Sequence, residues 1–303
     1  MRNTGQRRRR GDGGPIRPSS GVMTRPRDID AVREHIEAHP VSGPPEEMRA
    51  AFEALAGPQP SCEQVRIGGH DALAVGRGPQ VILFHGGGYV FGSPASHLTL
   101  AATLAERGLR VLLPTYRLAP ERPWPAQLTD ALAVLDDADM PLLAGISAGG
   151  HLALNAALAR PGRVRALALL SPNTDRTGRS ETRGRNSDSD AMNSDEDDAR
   201  LAGMAMGHLP PDDPTASPVL ADLSALPSLW IGAWGAEVLL DDALLLARAA
   251  GLAGVGTMLD VREGHFHMAE LWPDAIPEAS RHLAAMGDWL ADQAARTSAS
   301  MEG

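Results

Sequence analysis

A serine attacks a carbonyl at neutral pH only when a base stands within hydrogen-bond reach, and one serine in this chain is placed for that. It is Ser147, in the string Gly145-Ile146-Ser147-Ala148-Gly149. The G-x-S-x-G spacing sets the serine on a tight turn between a strand and a helix, with glycines where a Cβ would collide with the neighbouring strand or helix. Some sixty residues upstream stands His85-Gly86-Gly87-Gly88, a string whose backbone N–H groups can line an oxyanion hole. Each string follows an apolar run. Together, in this order, they point to acyl-transfer chemistry at Ser147.

The base and the acid that orients it are expected downstream, in the chain order Ser, Asp/Glu, His, each just after a strand at the carboxyl edge of a sheet. After an apolar run at Leu229–Ala233 come Glu237, Asp241 and Asp242. Glu237 lies in the loop itself, while the aspartates stand where the next helix begins and can complement its N-terminus. After Thr257–Val261 come His265 and His267, and spacing alone leaves both open as the base. His151 falls inside the helix after the nucleophile, His208 precedes a proline stretch, and His85 and His97 belong to loop and helix starts; all four read as structural. The oxyanion donors follow from geometry: the amide of Ala148 at a helix N-terminus, and those of Gly87 and Gly88.

These residues need a scaffold, and the chain supplies an alternating one. Helical spacing covers 28–56, broken by Pro40, Pro44 and Pro45. Strands are expected at Arg66–Val75, Gln80–Phe84, Leu109–Leu113, Leu142–Ile146, Val164–Leu170, Leu229–Ala233 and Thr257–Val261. Helices are expected near 97–107, 126–137, 148–159, 199–208, 240–251 and 276–296. This alternation, without internal repeat, predicts an α/β fold: a mostly parallel sheet covered on both faces. Residues 172–198 interrupt it with a polar stretch that reads as a long loop, either a lid or a plain insertion.

Composition narrows the classes. A chain of 303 residues fits one large domain with a small cap. It contains no lysine, which excludes a lysine nucleophile or Schiff base. Its net charge of −10 argues against nucleic acid as the main partner. The single cysteine, Cys62, excludes an intramolecular disulfide framework and a cysteine-rich zinc site, and suits a cytoplasmic location. Residues 1–22 are basic and nearly free of apolar side chains, so they read as a disordered extension before a start expected near Met23. No apolar stretch reaches the roughly 18–20 residues that span a bilayer.

The motifs resemble those of the hormone-sensitive-lipase-like branch of the α/β-hydrolases, the bacterial esterases with an H-G-G-G string. The resemblance spans roughly residues 80–292 and rests on HGGGYVFGS at His85–Ser93, YRLAPE at Tyr116–Glu121, GISAGG at Gly145–Gly150, EVLLDD at Glu237–Asp242 and the G-x-x-H of Gly264 to His267. It implies Ser147 as nucleophile, Glu237 as acid, His267 as base, and Gly87, Gly88 and Ala148 as oxyanion donors. It also implies an N-terminal helical cap. The domain plan is then a cap at 23–62, a catalytic domain at 63–297 with an insertion at 172–210, and a disordered tail at 298–303. Three features depart from the pattern: Ile146 stands where the family usually has aspartate, the helix after YRLAPE is short, and the acid is glutamate.

The implied activity is hydrolysis of carboxylic esters with short or medium acyl chains, acetyl esters or lactones of small molecules, with no cofactor and no metal. Val90, Phe91, Met192, Leu201 and Met206 are the candidate pocket walls. The implied partner is a small-molecule substrate, with no nucleic acid and no membrane; a homodimer is compatible. The alternatives are a non-hydrolytic enzyme on the same scaffold (dehydratase, cyclase or acyltransferase) and, with the triad residues all present, far behind it a ligand-binding receptor.

Overall fold

The strand Ala166–Leu170 carries the logic of the fold in five residues. Successive side chains of a strand point to opposite faces. Leu167 and Leu169 join one buried apolar cluster, while Ala166, Ala168 and Leu170 join another. A strand buried on both sides belongs to a sheet with helices on both sides.

The computed structural model describes residues 25–301. Two helices come first, α1 (Ile29–Ala38) and α2 (Pro45–Ala56), then strands β1 (Glu63–Ile67), β2 (His70–Gly76) and β3 (Gln80–Phe84). The chain then alternates through α3 (Leu98–Ala105), β4 (Arg110–Pro114), α4 (Ala126–Asp137), β5 (Leu142–Ile146), α5 (Ala148–Ala159) and β6 (Ala166–Leu170). The connection after β6 holds α6 (Thr182–Arg185) and α7 (Asp195–Met206). It leads to β7 (Ser228–Trp234), α8 (Leu240–Leu252), β8 (Thr257–Arg262) and α9 (Pro277–Met301). None of the described helices is long and apolar enough to cross a membrane.

The strands form an eight-stranded sheet in the order β1-β2-β4-β3-β5-β6-β7-β8. β1 and β2 are antiparallel to their neighbours; from β4 to β8 every pairing is parallel. Apolar side chains of α3 and α9 cover one face, and those of α4, α5 and α8 the other. From β3 the chain steps to β4 on one side and later to β5 on the other. Phe84 therefore pairs with Gly145, and the two glycine strings leave adjacent strands at the same sheet edge.

Three elements differ from their sequence expectation. The strand expected at Arg66–Val75 is a hairpin, because Gly68 (φ +58°) and Gly69 (φ +81°) take the positive dihedrals that a tight reversal demands. The helix expected at 199–208 begins at Asp195, where the Ser194 hydroxyl accepts the Asp197 N–H at 3.1 Å. The last helix continues to Met301, past the boundary expected at 297. The basic extension expected at 1–22 and the end of the tail at 302–303 lie outside the described residues.

The insertion is folded onto the body by buried charge. Arg183 places its guanidinium between Asp242 (2.9 Å) and Asp198 (2.5 Å), and Arg176 adds a second contact to Asp198 at 2.6 Å. Asp242 also accepts the amides of Thr174 and Asp175 at 2.8 and 2.9 Å. A polar sequence reads as loop, but here its carboxylates are paired with arginines and withdrawn from solvent. Removing one partner of a buried ion pair leaves an uncompensated charge. Arg183→Leu is therefore expected to lower stability by about 3–5 kcal/mol in urea unfolding, whereas an unchanged midpoint would mean that the insertion does not depend on this pairing.

Candidate active site

Ser147 follows the last residue of β5 with φ +57° and ψ −123°, a conformation that residues with a Cβ adopt rarely and at a cost in strain. The turn closes only because its flanks are bare. A Cβ on Gly145 would stand 2.1 Å from the Gly149 carbonyl oxygen, and one on Gly149 would stand 2.1 Å from that of Phe84. The Ser147 amide donates to the Leu170 carbonyl of β6 at 2.9 Å, which fixes the turn between two strands.

The loops after β7 and β8 bring the other two groups to it. His267 Nε2 lies 2.8 Å from Ser147 Oγ, and His267 Nδ1 lies 2.9 Å from Glu237 Oε2. Glu237 Oε1 accepts the Trp234 N–H at 2.9 Å, so both carboxylate oxygens are engaged. All three residues are buried, Glu237 completely. Burial drives the Glu237 carboxyl up from its ordinary range. Burial alone would drive His267 down, but its hydrogen bond to Glu237 and the negative charges of Glu237, Asp190 and Asp198 outweigh it, and the imidazole is raised.

The competing candidates are occupied elsewhere. Asp241 accepts the Glu181 amide at 2.8 Å, and Asp242 belongs to the Arg183 cluster. His265 sets its ring edge against Trp234 at 4.8 Å and its Nε2 3.6 Å from Glu278, away from the serine. His151 is buried with its Nδ1 2.6 Å from the Tyr89 hydroxyl, and burial holds it neutral at a pKa of about 3. His208 and Cys62 are exposed.

The glycine loop after β3 is held from behind. Tyr116, from the YRLAPE string, stacks on His85 at 4.1 Å and donates its hydroxyl to the His85 carbonyl at 2.8 Å. The Gly86 amide donates to His97 Nε2 at 3.1 Å. Burial lowers His85 to about 4, so it orders this loop as a neutral ring. Gly87 bends away with φ +116°, where a Cβ would meet the Phe91 carbonyl oxygen at 2.2 Å. Arg49 ties α2 to the loop, donating to the carbonyls of Val90 and Ala119 and pairing with Glu121 at 2.6 Å.

Gly87, Gly88, Ser147, Ala148 and His267 face one cavity of about 360 Å³. Of the pocket walls expected from sequence, Phe91, Met192 and Leu201 line it. Val90 and Met206 do not. Val90 is fully buried in the core beside the glycine loop, and Met206, five residues beyond Leu201 on α7, borders a separate hollow between α6 and α7. Sequence reasoning missed Ile36, Phe52 and Leu55, which α1 and α2 contribute to the same cavity. It also missed two residues of the insertion: Asn186, whose side-chain amide donates to the Glu237 carbonyl at 2.8 Å, and Asp190, which receives the His267 amide at 3.1 Å. Their sequence surroundings are polar and aperiodic, and no motif singles them out.

Residues 81–271 match the family described as the alpha/beta hydrolase fold. The chain is 31% identical over 289 residues to an acetyl-hydrolase of Streptomyces hygroscopicus, covering 87% of this chain and 96% of that protein. It is 32% identical over 234 residues to the carboxylesterase NlhH of Mycobacterium tuberculosis, covering 69% of this chain and 73% of that one. Among solved structures, an esterase of the bacterial hormone-sensitive lipase family superposes with a TM-score of 0.82 at 31% identity, covering 87% of this chain and 97% of that one. A hormone-sensitive lipase from a metagenome library gives 0.80 at 29% identity, covering 87% and 98%.

The charge around His267 has a direct readout. Its imidazole is expected to titrate above the ordinary value of 6.5. Histidine NMR resonances, assigned by their loss in His267→Ala, check this; a titration below that value would mean that burial outweighs the carboxylates.

Proposed function

The chain belongs to the α/β-hydrolase family, on its hormone-sensitive-lipase-like branch, and is a carboxylic ester hydrolase; on that premise we propose that Ser147, His267 and Glu237 are its catalytic triad. The observation that carries the proposal is the line of hydrogen bonds from Ser147 Oγ through the His267 ring to Glu237, opening on a cavity shared with Gly87, Gly88 and Ala148.

Chemistry follows from the geometry. His267 Nε2 takes the hydroxyl proton as Ser147 Oγ attacks the ester carbonyl. The carbonyl oxygen becomes an anion, which the amides of Gly87, Gly88 and Ala148 receive; one such donor is typically worth about 3–4 kcal/mol of barrier. Glu237 holds the ring in the tautomer that presents Nε2 as acceptor and steadies the imidazolium. The imidazolium returns its proton to the leaving alcohol, and an acyl-serine remains. Water then enters, gives its proton to His267, and releases the acid.

The substrate class is a small-molecule ester with a short or medium acyl chain, including acetyl esters and lactones. A cavity of about 360 Å³ supports this, because it is near the low end of ligand pockets. Residues 23–62 serve as a cap whose Ile36, Phe52 and Leu55 give one side of the cavity an apolar wall. Arg49 couples that wall to the oxyanion loop. A cytoplasmic location is part of this reading, supported by the single cysteine.

A chromogenic short-chain ester such as p-nitrophenyl acetate tests the roles. Ser147→Ala is expected to lower kcat by at least ~10³-fold with its melting temperature unchanged. His267→Ala should do comparable damage and His265→Ala far less. A dead His265→Ala beside an active His267→Ala would reverse the base assignment. Absence of turnover and of serine labelling by a phosphonate in the wild type would favour a non-hydrolytic reaction.

The assembly is proposed to be a homodimer through the β8 corner. The large apolar side chains exposed among the described residues, Leu244, Leu252, Met258, Leu259 and Val261, all lie on α8 and β8, and β8 is a sheet edge. Light scattering is expected to give twice the 31.9 kDa chain mass, falling to one chain in Leu259→Arg; a monomeric wild type would refute the proposal.

A further inference from the structure

Asp190 divides its carboxylate between the two loops that carry the acid and the base, although it belongs to neither. It lies in the β6–β7 connection and is 9% exposed. Its Oδ2 accepts the amide of Val238, the residue after Glu237, at 3.0 Å. Its Oδ1 accepts the amide of His267 itself at 3.1 Å, and also closes a local turn on Met192 at 3.0 Å and Asn193 at 3.3 Å. One side chain thus sets the distance between two backbone segments that leave different strands.

We propose that Asp190 is a positioning residue for the reaction: it clamps the base loop to the acid loop and keeps a fixed negative charge beside the imidazolium that forms in turnover. The inference rests on the triad reading above. It goes beyond it by assigning a function to the insertion, which supplies the clamp.

The charged groups around the His267 ring separate Asp190 from its neighbours. Glu237 faces it from the loop after β7, and Asp190 and Asp198 from the insertion. Asp198 is matched by Arg176 and Arg183. Asp190 is satisfied by backbone amides, which hold a carboxylate in place without cancelling its charge. Its charge favours the protonated form of both His267 and Glu237. A clamp of this kind keeps the Nε2–Oγ distance at 2.8 Å while the ring gains and loses a proton.

Two substitutions separate the clamp from the charge. Asp190→Asn removes the charge and puts one N–H donor against an amide it should accept. Asp190→Glu keeps the charge on a longer arm. With p-nitrophenyl acetate, Asp190→Asn is expected to lower kcat about 10–100-fold with KM within about twofold. The acidic limb of its kcat/KM profile is expected about one pH unit lower than in the wild type, because the imidazolium has lost a carboxylate. Asp190→Glu is expected to lose kcat similarly with that limb in place.

Wild-type kcat in either folded variant overturns the proposal. So does a kcat loss in Asp190→Asn that comes with a falling melting temperature and an unmoved pH limb, since that is a structural role alone. Should Asp190→Asn not fold, Asp190→Glu decides: its kcat falls at unchanged KM, or the proposal fails. Failure of the triad reading looks different, because Ser147→Ala would then keep its turnover.

Discussion

A carboxylate with no exposed surface is the constraint around which this molecule is arranged. In the proposed triad Glu237 must remain ionised to steady a protonated imidazole, yet it is fully buried and burial opposes its charge. The structure answers by using every acceptor position it can. One oxygen takes the Trp234 amide within the same loop and the other takes His267 Nδ1. Both bonds require the β7 loop to hold its shape to within a few tenths of an ångström, and the loop does not hold itself. Asn186 grips its carbonyl, Thr182 accepts the Asp241 amide and donates to the Val238 carbonyl, and Asp190 takes the Val238 amide. The insertion after β6 exists in its folded form because these contacts, and the Arg183 cluster beneath them, satisfy its polar side chains.

That dependence explains what was legible in the sequence. The nucleophile turn was readable because sterics alone dictate it: only glycine fits at 145 and 149, and the string survives any change of context. Strand alternation foretold a parallel sheet but not which strands adjoin; the sheet order is what places Phe84 beside Gly145. Period-two and helical patterns located the strands and helices to within a few residues, since apolar burial sets both. The hairpin at Gly68–Gly69 was missed although the Gly-Gly pair is itself a turn signal, because the apolar residues on either side of it were read as one strand. The choice between His265 and His267 was not available from spacing. Two residues apart in one loop, they differ only in direction, and the direction is set by the His267 amide bond to Asp190 and by the packing of His265 on Trp234.

The insertion was the illegible part, for a physical reason. Burial of apolar faces leaves a periodic trace, but a network of carboxylates, guanidinia and amides leaves none. Residues such as Asn173, Asp175 and Asp198 have compositions typical of loops, and each is buried. Their partners stand as far away in sequence as Asp242. Order in a polar segment of this kind comes from many groups finding partners together, so the property belongs to the set and is invisible at any single position.

Ile146 sharpens the point. It stands immediately before Ser147, where the family pattern read from the sequence would have aspartate, and here it is fully buried in the apolar cluster shared with α3 and α9. The cluster it joins includes Ala144, Ala168, Leu170, Phe266 and Met268, none of whose side chains can donate a strong hydrogen bond to a carboxylate. A charge placed there would raise the cost of burying the site without steadying the imidazole. The polar support of the base reaches it instead from the insertion, where Asp190 and Asp198 lie, each with its own satisfied partners. Ile146 is thus packed as core, while the carboxylates that the insertion adds near His267 are held in place by backbone amides and arginines.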